Sequence, residues 1–248
     1  MNRIEFKKKH VVVTGGAKGL GLGISKTFAS LDAAVTILDL GIDGKKEEEL
    51  LSVPGIESVK KVDLSDPDAV FSVFDKMGKI DVLINNAGIY PTRSFFEMTP
   101  EEWKRMIDID LNSVFYTTQA AARKMKDNIE GGSIINITTI DYSHPSKDHS
   151  HYCAAKAGVR SLTLSTANEL GKYHIRVNSI APGLVDRPGL KESWPSGYER
   201  FLSKAPLKKI PTPQDIANVC VFLSSELASS ITGAEIPVDS GILSAEPY

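Results

Sequence analysis

The chain has 248 residues, of which 42% are hydrophobic and 24% are charged, and its 29 basic and 31 acidic side chains leave a formal net charge of −2. This near-neutral balance provides no electrostatic surface for nucleic acid or an anionic membrane. The two cysteines, far apart in the sequence, argue against a disulfide-stabilised scaffold and indicate a reducing compartment.

The first apolar run predicts neither a signal peptide nor a membrane anchor. Val11-Val12-Val13 is too short for either and is followed by Gly15-Gly16. No window of the sequence reaches the apolar length of a membrane span. We therefore expect a cytoplasmic protein with no nucleic-acid or membrane partner.

Short β-branched runs alternate with longer helical segments along the chain. The runs predict strands buried on both faces at 11–14, 35–38, 82–84, 134–137 and 175–177. Between them, proline at the first helical position marks helix starts at Asp66-Pro67, Thr99-Pro100 and Thr212-Pro213. The alternation predicts an α/β fold: one domain over residues 1–248, with a Rossmann-type doubly wound parallel sheet and helices on both faces.

One segment interrupts this alternation. From Pro182 to about Pro211 the chain is rich in proline, glycine and charge, and it is longer than most connections between a strand and a helix. Its place after a late strand predicts a substrate lid, in the form of a long ordered loop, at about 184–211. The alternative is a mobile surface loop.

A glycine-rich loop follows the first predicted strand and precedes a helix that is expected to begin near Leu22. Glycines let the backbone approach a pyrophosphate, whose charge meets the N–H groups and the positive dipole end of the helix. The loop therefore predicts a dinucleotide site whose contacts include Gly15, Lys18, Gly19, Leu20 and Gly21.

Asp39 ends the second predicted strand, 18 residues after Gly21, close to the spacing at which a carboxylate binds the adenosine ribose. The same carboxylate about 4 Å from a 2′-phosphate would cost on the order of 4 kcal/mol. Lys18 would attract that phosphate instead, but the position of Asp39 is fixed by the strand end. We therefore expect NAD to be preferred over NADP. The alternative role for Asp39 is a turn residue before Gly41.

Tyr152 and Lys156 share one face of a predicted helix because they are four residues apart. The ordinary pKa of tyrosine is near 10, so only about 0.1% is phenolate at neutral pH. A neighbouring ammonium and a nicotinamide cation would lower the pKa of Tyr152 toward the working range. Taken alone, the pair could also be a surface stack.

Together these motifs resemble the short-chain dehydrogenase/reductase family, in its short single-domain branch. The resemblance covers essentially the whole chain. Its landmarks are Thr14–Gly21, Asp63-Leu64, Asn85-Asn86-Ala87-Gly88, Tyr152 with Lys156, Pro182-Gly183, Thr232-Gly233 and Val238-Asp239-Ser240-Gly241.

The resemblance implies an NAD(H)-dependent oxidoreductase that interconverts a secondary alcohol and a ketone. Tyr152 would be the acid or base at the substrate oxygen, and Lys156 would hold the nicotinamide ribose and lower the tyrosine pKa. The remaining implied cofactor contacts follow strand ends: Asp63 and Leu64 at the adenine, Asn85, Ala87 and Gly88 at the ribose, and Pro182, Gly183 and Val185 at the carboxamide.

Three residues depart from the family pattern. Thr139 stands where the family has its catalytic serine and keeps the hydroxyl. Asp110 stands where the family has a catalytic asparagine, and Asn112, two residues later, would point to another side of a helix. Arg187 replaces a frequent threonine, with cofactor pyrophosphate, a substrate anion or solvent as its alternative partners. The first two departures leave open a catalytically impaired member that acts as a cofactor-binding scaffold or sensor.

Polar and aromatic residues are expected around the substrate. The family lines its pocket at the positions of Tyr90, Arg93, Asp141, His144 and Trp194, and Arg187 is a further candidate for a substrate contact. This set favours a small hydroxylated or anionic molecule, such as a polyol or sugar-like alcohol. The histidines before Tyr152 lack partners at a recognised ligand spacing, so no metal is expected. By resemblance we expect a homotetramer or homodimer that forms through the helical runs 111–125 and 154–170.

Overall fold

Seven parallel strands form one sheet in the computed structural model, which describes residues 4–245. The strands are β1 (His10–Thr14), β2 (Ala34–Asp39), β3 (Ile56–Lys61), β4 (Val82–Asn85), β5 (Gly132–Ile137), β6 (Ile175–Pro182) and β7 (Glu235–Val238). Their order across the sheet is β3-β2-β1-β4-β5-β6-β7. The order reverses between β1 and β4, and in doubly wound sheets ligands bind at that reversal, beyond the carboxyl ends of the strands.

Helices cover both faces of the sheet. They are α1 (Gly19–Ala29), α2 (Gly44–Leu51), α3 (Pro67–Asp75), α4 (Pro100–Ile107), α5 (Ser113–Met125), α6 (Ser150–Leu170), α7 (Leu190–Ser193), α8 (Pro195–Lys204) and α9 (Pro213–Ser224). A π-helical turn (Asp108–Asn112) joins α4 to α5. None of the helices within residues 4–245 is long and apolar enough to span a membrane.

The apolar run of β1 shows why the central strands are buried on both faces. Val11 and Val13 point into a core with α1 and α9, whereas Val12 points into a second core with α3, α5 and α6. All three valines are fully buried. The predicted α/β fold, a Rossmann-type sheet between two helical layers, is confirmed.

The predicted helix starts are confirmed by their caps. The Asp66 side chain accepts hydrogen bonds from the N–H groups of Asp68 and Ala69 at the start of α3. Thr99 and Thr212 begin α4 and α9 in capping boxes, in which each threonine and a later carboxylate satisfy each other's backbone N–H.

The structure differs from the sequence prediction in three places. The strands β3 and β7 lie at the sheet edges and were not among the predicted runs. Helix α1 begins at Gly19, not near Leu22, so the last glycines of the loop lie in its first turn. The 184–211 segment is not a loop, because α7 and α8 occupy much of it and Pro195 begins α8.

Candidate active site

The glycine loop is fastened to the turn after β4. The Thr14 hydroxyl accepts hydrogen bonds from the N–H groups of Asn86 (3.0 Å) and Ala87 (3.1 Å). Gly15 has a φ of +62°, and a Cβ added there would lie 2.8 Å from the Cα of Ala87. The loop therefore needs glycine at position 15 to pack against the 85–88 turn.

The beginning of α1 suits a phosphate. No side chain caps the helix at Lys18, which is exposed, so the N–H groups of the first turn remain available to an anion. A cleft of about 240 Å³ begins at Leu20 and runs to Tyr152 and Lys156. The loop, the helix start and the cleft together fit a dinucleotide.

Asp39 lies at the end of β2, beside this loop. Its carboxylate is buried and accepts hydrogen bonds from the N–H groups of Ala17 (3.1 Å) and Gly41 (2.9 Å). A carboxylate has about four acceptor sites, so two remain for ribose hydroxyls. The turn role and the ribose role of Asp39 are therefore compatible.

The other residues expected at the adenine and ribose lie in different environments. Asp63 is exposed and accepts hydrogen bonds from the N–H and hydroxyl of Ser65, while Leu64 is buried. Asn85 is turned into the sheet, where it donates to Thr118 and Asn136. Its side chain therefore does not line the cleft, and from this turn Asn86 and Gly88 do.

Tyr152 and Lys156 lie on the first turns of α6 and line the cleft together with Thr139, which follows β5. Lys156 Nζ donates to the carbonyl of Ile137 (3.1 Å) and lies 5.7 Å from the centroid of the Tyr152 ring. The structure thus brings together Tyr152 and Thr139, which are expected at the substrate oxygen, and Lys156, which is expected at the nicotinamide ribose.

Asp110 joins this group from the π-helical turn. It is fully buried, and its Oδ2 lies 3.3 Å from Lys156 Nζ. Its Oδ1 accepts a hydrogen bond from the N–H of Ile89 (2.9 Å). Asn112, in contrast, donates to Asp108 and does not replace Asp110. Burial raises the pKa of the Asp110 carboxyl, and the Lys156 ammonium opposes that rise.

The pKa of Tyr152 is shifted in the direction opposite to the expectation from sequence. Burial raises it, and the charges of Asp110 and Asp141 raise it further, while a hydrogen bond with Thr139 opposes the rise. The physical reason is first the burial of the phenol and then the nearby negative charges, of which Asp110 lies beside the Lys156 ammonium.

Tyr90 forms the side wall next to Tyr152. Its ring stacks on the buried His149 with centroids 4.1 Å apart and meets the Tyr152 ring edge-on at 4.6 Å. Its hydroxyl donates to Asp141 Oδ2 (3.1 Å), and the Ser146 hydroxyl donates to Oδ1 of the same carboxylate (3.1 Å). His149, Tyr152 and Asp141 therefore hold the Tyr90 ring in place.

Of the predicted substrate residues, Tyr90 lines the cleft, whereas Asp141 and the other four do not. Arg93 pairs with Glu102 (Nε to Oε1 2.8 Å), and its N–H donates to the carbonyl of Asp148 (2.8 Å). His144 is exposed beside Ser143, and Arg187 is exposed and contacts the Ser193 hydroxyl (3.4 Å). The remaining one, Trp194, packs on Gly197 and Arg200 at the start of α8.

The structure also adds residues that sequence reasoning missed. Ile89, Ile137 and Thr138 line the cleft, and their positions directly after β4 and at the end of β5 are the signal that could have identified them. Pro182, Gly183 and Val185, which are predicted to contact the carboxamide, also line the cleft. Residues 4–245 contain no group of three His, Cys, Asp or Glu side chains placed to hold a metal ion.

A larger depression of about 470 Å³ lies at the opposite edge of the sheet, where the strands begin. It is lined by residues such as Asp81, Ser133 and Arg176 and contains none of the predicted site residues. The Arg176 guanidinium is bonded to the backbone carbonyls of Leu223 and Ser225. The smaller cleft at the carboxyl ends of the strands is therefore the candidate active site.

Known proteins resemble this chain over most of its length. Residues 15–243 match a family model described as enoyl-(acyl carrier protein) reductase. The chain is 36% identical to the 3-oxoacyl-(acyl-carrier-protein) reductase FabG of Chlamydia pneumoniae, over 94% of this chain and 96% of that protein. It is 35% identical to an L-rhamnose 1-dehydrogenase (NAD(P)(+)) of Azotobacter vinelandii, with the same coverage.

A solved structure is similar over nearly the whole chain. It is assigned as a 2-deoxy-D-gluconate 3-dehydrogenase from Agrobacterium tumefaciens, with bound NADP. The TM-score is 0.89 at 30% identity, and the match covers 98% of this chain and 100% of that one.

Proposed function

Because the chain belongs to the short-chain dehydrogenase/reductase family, whose members act on CH–OH groups with NAD(P), we propose that it interconverts a secondary alcohol and a ketone on a small polyol or sugar-like substrate, with NAD(H) as cofactor. The observation that supports this most directly is the arrangement of Tyr152, Lys156 and Thr139 in one cleft with the glycine loop. The relatives named above act on different substrates, so the substrate class is argued from the cleft.

Tyr152 is the proton donor to the substrate oxygen in the reducing direction and the acceptor in the oxidising direction. The raised pKa keeps the phenol protonated at neutral pH, which suits the donor role. Thr139 orients the same oxygen through its hydroxyl. NAD, when bound, exchanges a hydride with the substrate carbon.

Lys156 and Asp110 act as one unit behind Tyr152. Lys156 Nζ is held by the Ile137 carbonyl and by Asp110, which fixes it where it can donate to a nicotinamide ribose. The glycine loop would hold the pyrophosphate, and Gly88, Pro182, Gly183 and Val185 would enclose the nicotinamide end. Asp63 and Leu64 would border the adenine.

The experiment that tests this function is an assay of the wild type and Tyr152→Phe across ketones, keto-sugars and polyols. Loss of the phenolic proton should lower kcat/KM at least about 100-fold. Tyr173→Phe, at a partly exposed tyrosine after α6, is the matched control and should keep full activity. Equal residual activity in the wild type and Tyr152→Phe would favour the alternative, a catalytically impaired scaffold or sensor.

Preference for NAD rests on Asp39. Its buried carboxylate is fixed by two backbone N–H groups beside the loop, so it cannot easily move away from a 2′-phosphate. We expect NADH to bind at least about tenfold more tightly than NADPH, which corresponds to about 1.4 kcal/mol, in a fluorescence titration. Asp39→Asn should reduce the difference in affinity between NADH and NADPH. NADPH binding as tight as NADH would contradict the preference.

The proposal extends to the organisation of the protein. We propose that residues 1–248 form one cytoplasmic domain. The 184–211 segment, which contains α7 and α8, acts as its substrate lid. We propose that the chain forms a homodimer or homotetramer through α5 and α6, because Phe115 and Leu164 are 44% and 49% exposed on these helices.

A further inference from the structure

Glu235, the first residue of the edge strand β7, has a carboxylate that lies among polar side chains. The side chain is only 10% exposed. Its Oε1 accepts hydrogen bonds from the hydroxyls of Thr138 (2.9 Å) and Ser179 (3.3 Å), and its Oε2 accepts from Arg160 Nε (2.9 Å). One carboxylate therefore joins β6, α6 and the segment after β5 to the edge of the sheet.

These contacts are more than an edge strand requires. An inward-pointing charge on an edge strand discourages pairing with another chain, and it does so without specific partners. The Glu235 carboxylate instead binds Thr138, which is one of the residues that line the cleft. Protection of the edge therefore does not explain why the side chain is turned toward the active site.

Arg160 extends the contact of Glu235 to Tyr142. Its guanidinium carbon lies 5.1 Å from the centroid of the Tyr142 ring, which is a cation–π distance. Tyr142 ends the short 3-10 turn that follows β5. Glu235 therefore holds both ends of the segment 138–142, the first end directly and the last through Arg160.

Thr139 lies between these two fixed ends. Its hydroxyl oxygen accepts a hydrogen bond from the N–H of Asp141 (3.2 Å), and its hydroxyl is the group proposed to orient the substrate oxygen. Such a group must stay within about 0.5 Å of its productive position, and a displacement of about 1 Å can cost about 100-fold in rate. The contribution of Thr139 therefore depends on what holds its neighbours.

We infer that Glu235 is a positioning residue of this active site, which holds Thr139 at the substrate oxygen by fixing both ends of the segment 138–142. This inference rests on the proposed function and deepens it. Glu235 itself does not line the cleft. Its removal should therefore slow the chemical step and leave cofactor binding unchanged.

The test is a double-mutant cycle of Glu235→Ala and Thr139→Ala, assayed with NADH and the ketone of the panel above that the wild type reduces fastest. Glu235→Ala alone should lower kcat about tenfold and change KM less than about twofold, because Thr139 acts chiefly in the transition state. In the Thr139→Ala background the same change should lower kcat less than about twofold, since the hydroxyl that Glu235 positions is already absent. A purely structural role would cause the same loss in both backgrounds.

Two further variants test the two anchors separately. Glu235→Gln keeps an oxygen for the Thr138 hydroxyl and loses the charge that pairs with Arg160, so kcat should fall no more than about threefold. Arg160→Met changes a side chain that is 47% exposed, breaks the contact with Tyr142 and should cause a loss of similar size. Both losses should disappear in the Thr139→Ala background, which keeps the inference testable if Glu235→Ala does not fold.

Glu57→Ala is the matched control, because Glu57 is an exposed glutamate on the other edge strand, β3. Its kcat and its Tm should equal those of the wild type. Fluorescence titration with NADH should give one Kd for the wild type, Glu235→Ala and Glu57→Ala. All assays are run below the Tm of the least stable variant, so that unfolding does not contribute to the loss of kcat.

Three results would overturn the inference while the proposed function stands. They are an unchanged kcat in Glu235→Ala, the same loss of kcat in both backgrounds, or weaker NADH binding by Glu235→Ala. Failure of the proposed function is a separate result. It would be seen as no cofactor-dependent turnover of any alcohol or ketone by the wild type, and the inference would then fail with it.

Discussion

The buried ion pair between Asp110 and Lys156 sets the chemical character of this site. Both side chains are almost completely buried, and Oδ2 of Asp110 lies 3.3 Å from the ammonium. Burial is the largest cause of the raised pKa of Tyr152, and the negative charge of Asp110 raises it further. The site therefore favours the protonated form of Tyr152, and we propose that Asp110 influences the reaction through Lys156 and Tyr152.

This pairing predicts a change in pH dependence. Asp110→Asn removes a negative charge that raises the pKa of Tyr152 and leaves the Lys156 ammonium without its partner, so the pKa of Tyr152 should fall. In the oxidising direction, where the phenolate is the proton acceptor, the rise of kcat/KM with pH should move to lower pH. In the reducing direction, the loss of rate at high pH should begin earlier.

The measurement is kcat/KM against pH for the wild type and Asp110→Asn in both directions. Asp75→Asn serves as the matched control, with an unshifted profile. If Asp110 only stabilised the fold, the variant would lose activity at every pH, and the shape of the curve would stay the same. That outcome would contradict the electrostatic role.

At the scale of elements, the site depends on how closely the 85–88 turn approaches the π-helical turn. A Cβ added at Gly88 would lie 2.7 Å from Asp110 Oδ2, closer than unbonded atoms normally come. The N–H of Ile89, one residue later, donates to the other oxygen of the same carboxylate. The two turns therefore position each other, and Asp110 forms the contact between them.

Gly88→Ala should consequently displace Asp110 and weaken its contact with Lys156. We expect a loss of about 1–3 kcal/mol in stability, as for an overpacked core site, and a lower kcat. Urea unfolding and steady-state kinetics measure these effects. Gly78→Ala is the control, because nothing lies within 4 Å of a Cβ at that position. Equal behaviour of the two variants would contradict the close-contact account.

The central strands could be predicted from sequence, and the edge strands could not. β1 and β4 are continuous apolar runs because both of their faces are covered. In β3 the exposed Glu57, Lys60 and Lys61 interrupt the pattern, and β7 contains Pro237, which only an edge strand tolerates. The composition of the 184–211 segment likewise did not indicate α7 and α8, because proline and glycine are typical of loops as well as of helix ends.

Within the site, too, some contacts could be predicted from sequence and others could not. Tyr152 and Lys156 could be paired from their spacing, because one helix carries both. The contacts of Tyr90 with His149 and Asp141 could not, because they join segments from different strand ends with no shared periodicity. The burial that raises the pKa of Tyr152 is also a property of the packed structure, and a sequence motif does not contain it.

At the scale of the whole molecule, α5 and α6 lie side by side and present apolar side chains outward. Leu164→Glu, and separately Phe115→Glu, should therefore shift the assembly to a lower mass in size-exclusion chromatography with light scattering. Ile129→Glu is the control, since Ile129 is 97% exposed but lies outside these helices, just before β5. A wild-type protein that is monomeric at micromolar concentration would contradict the proposed interface.

The contacts around Tyr90 also have a consequence for redesign of this protein. The segment after β4 and the segment before α6 are joined by the Tyr90–Asp141 bond, the Tyr90–His149 stack and the bond from the N–H of Arg93 to the carbonyl of Asp148. A graft of one segment that replaces Tyr90, or Asp141 and His149, would break the two side-chain contacts. The two segments are therefore one exchangeable cassette, and a new specificity should transfer intact only when both are transplanted together.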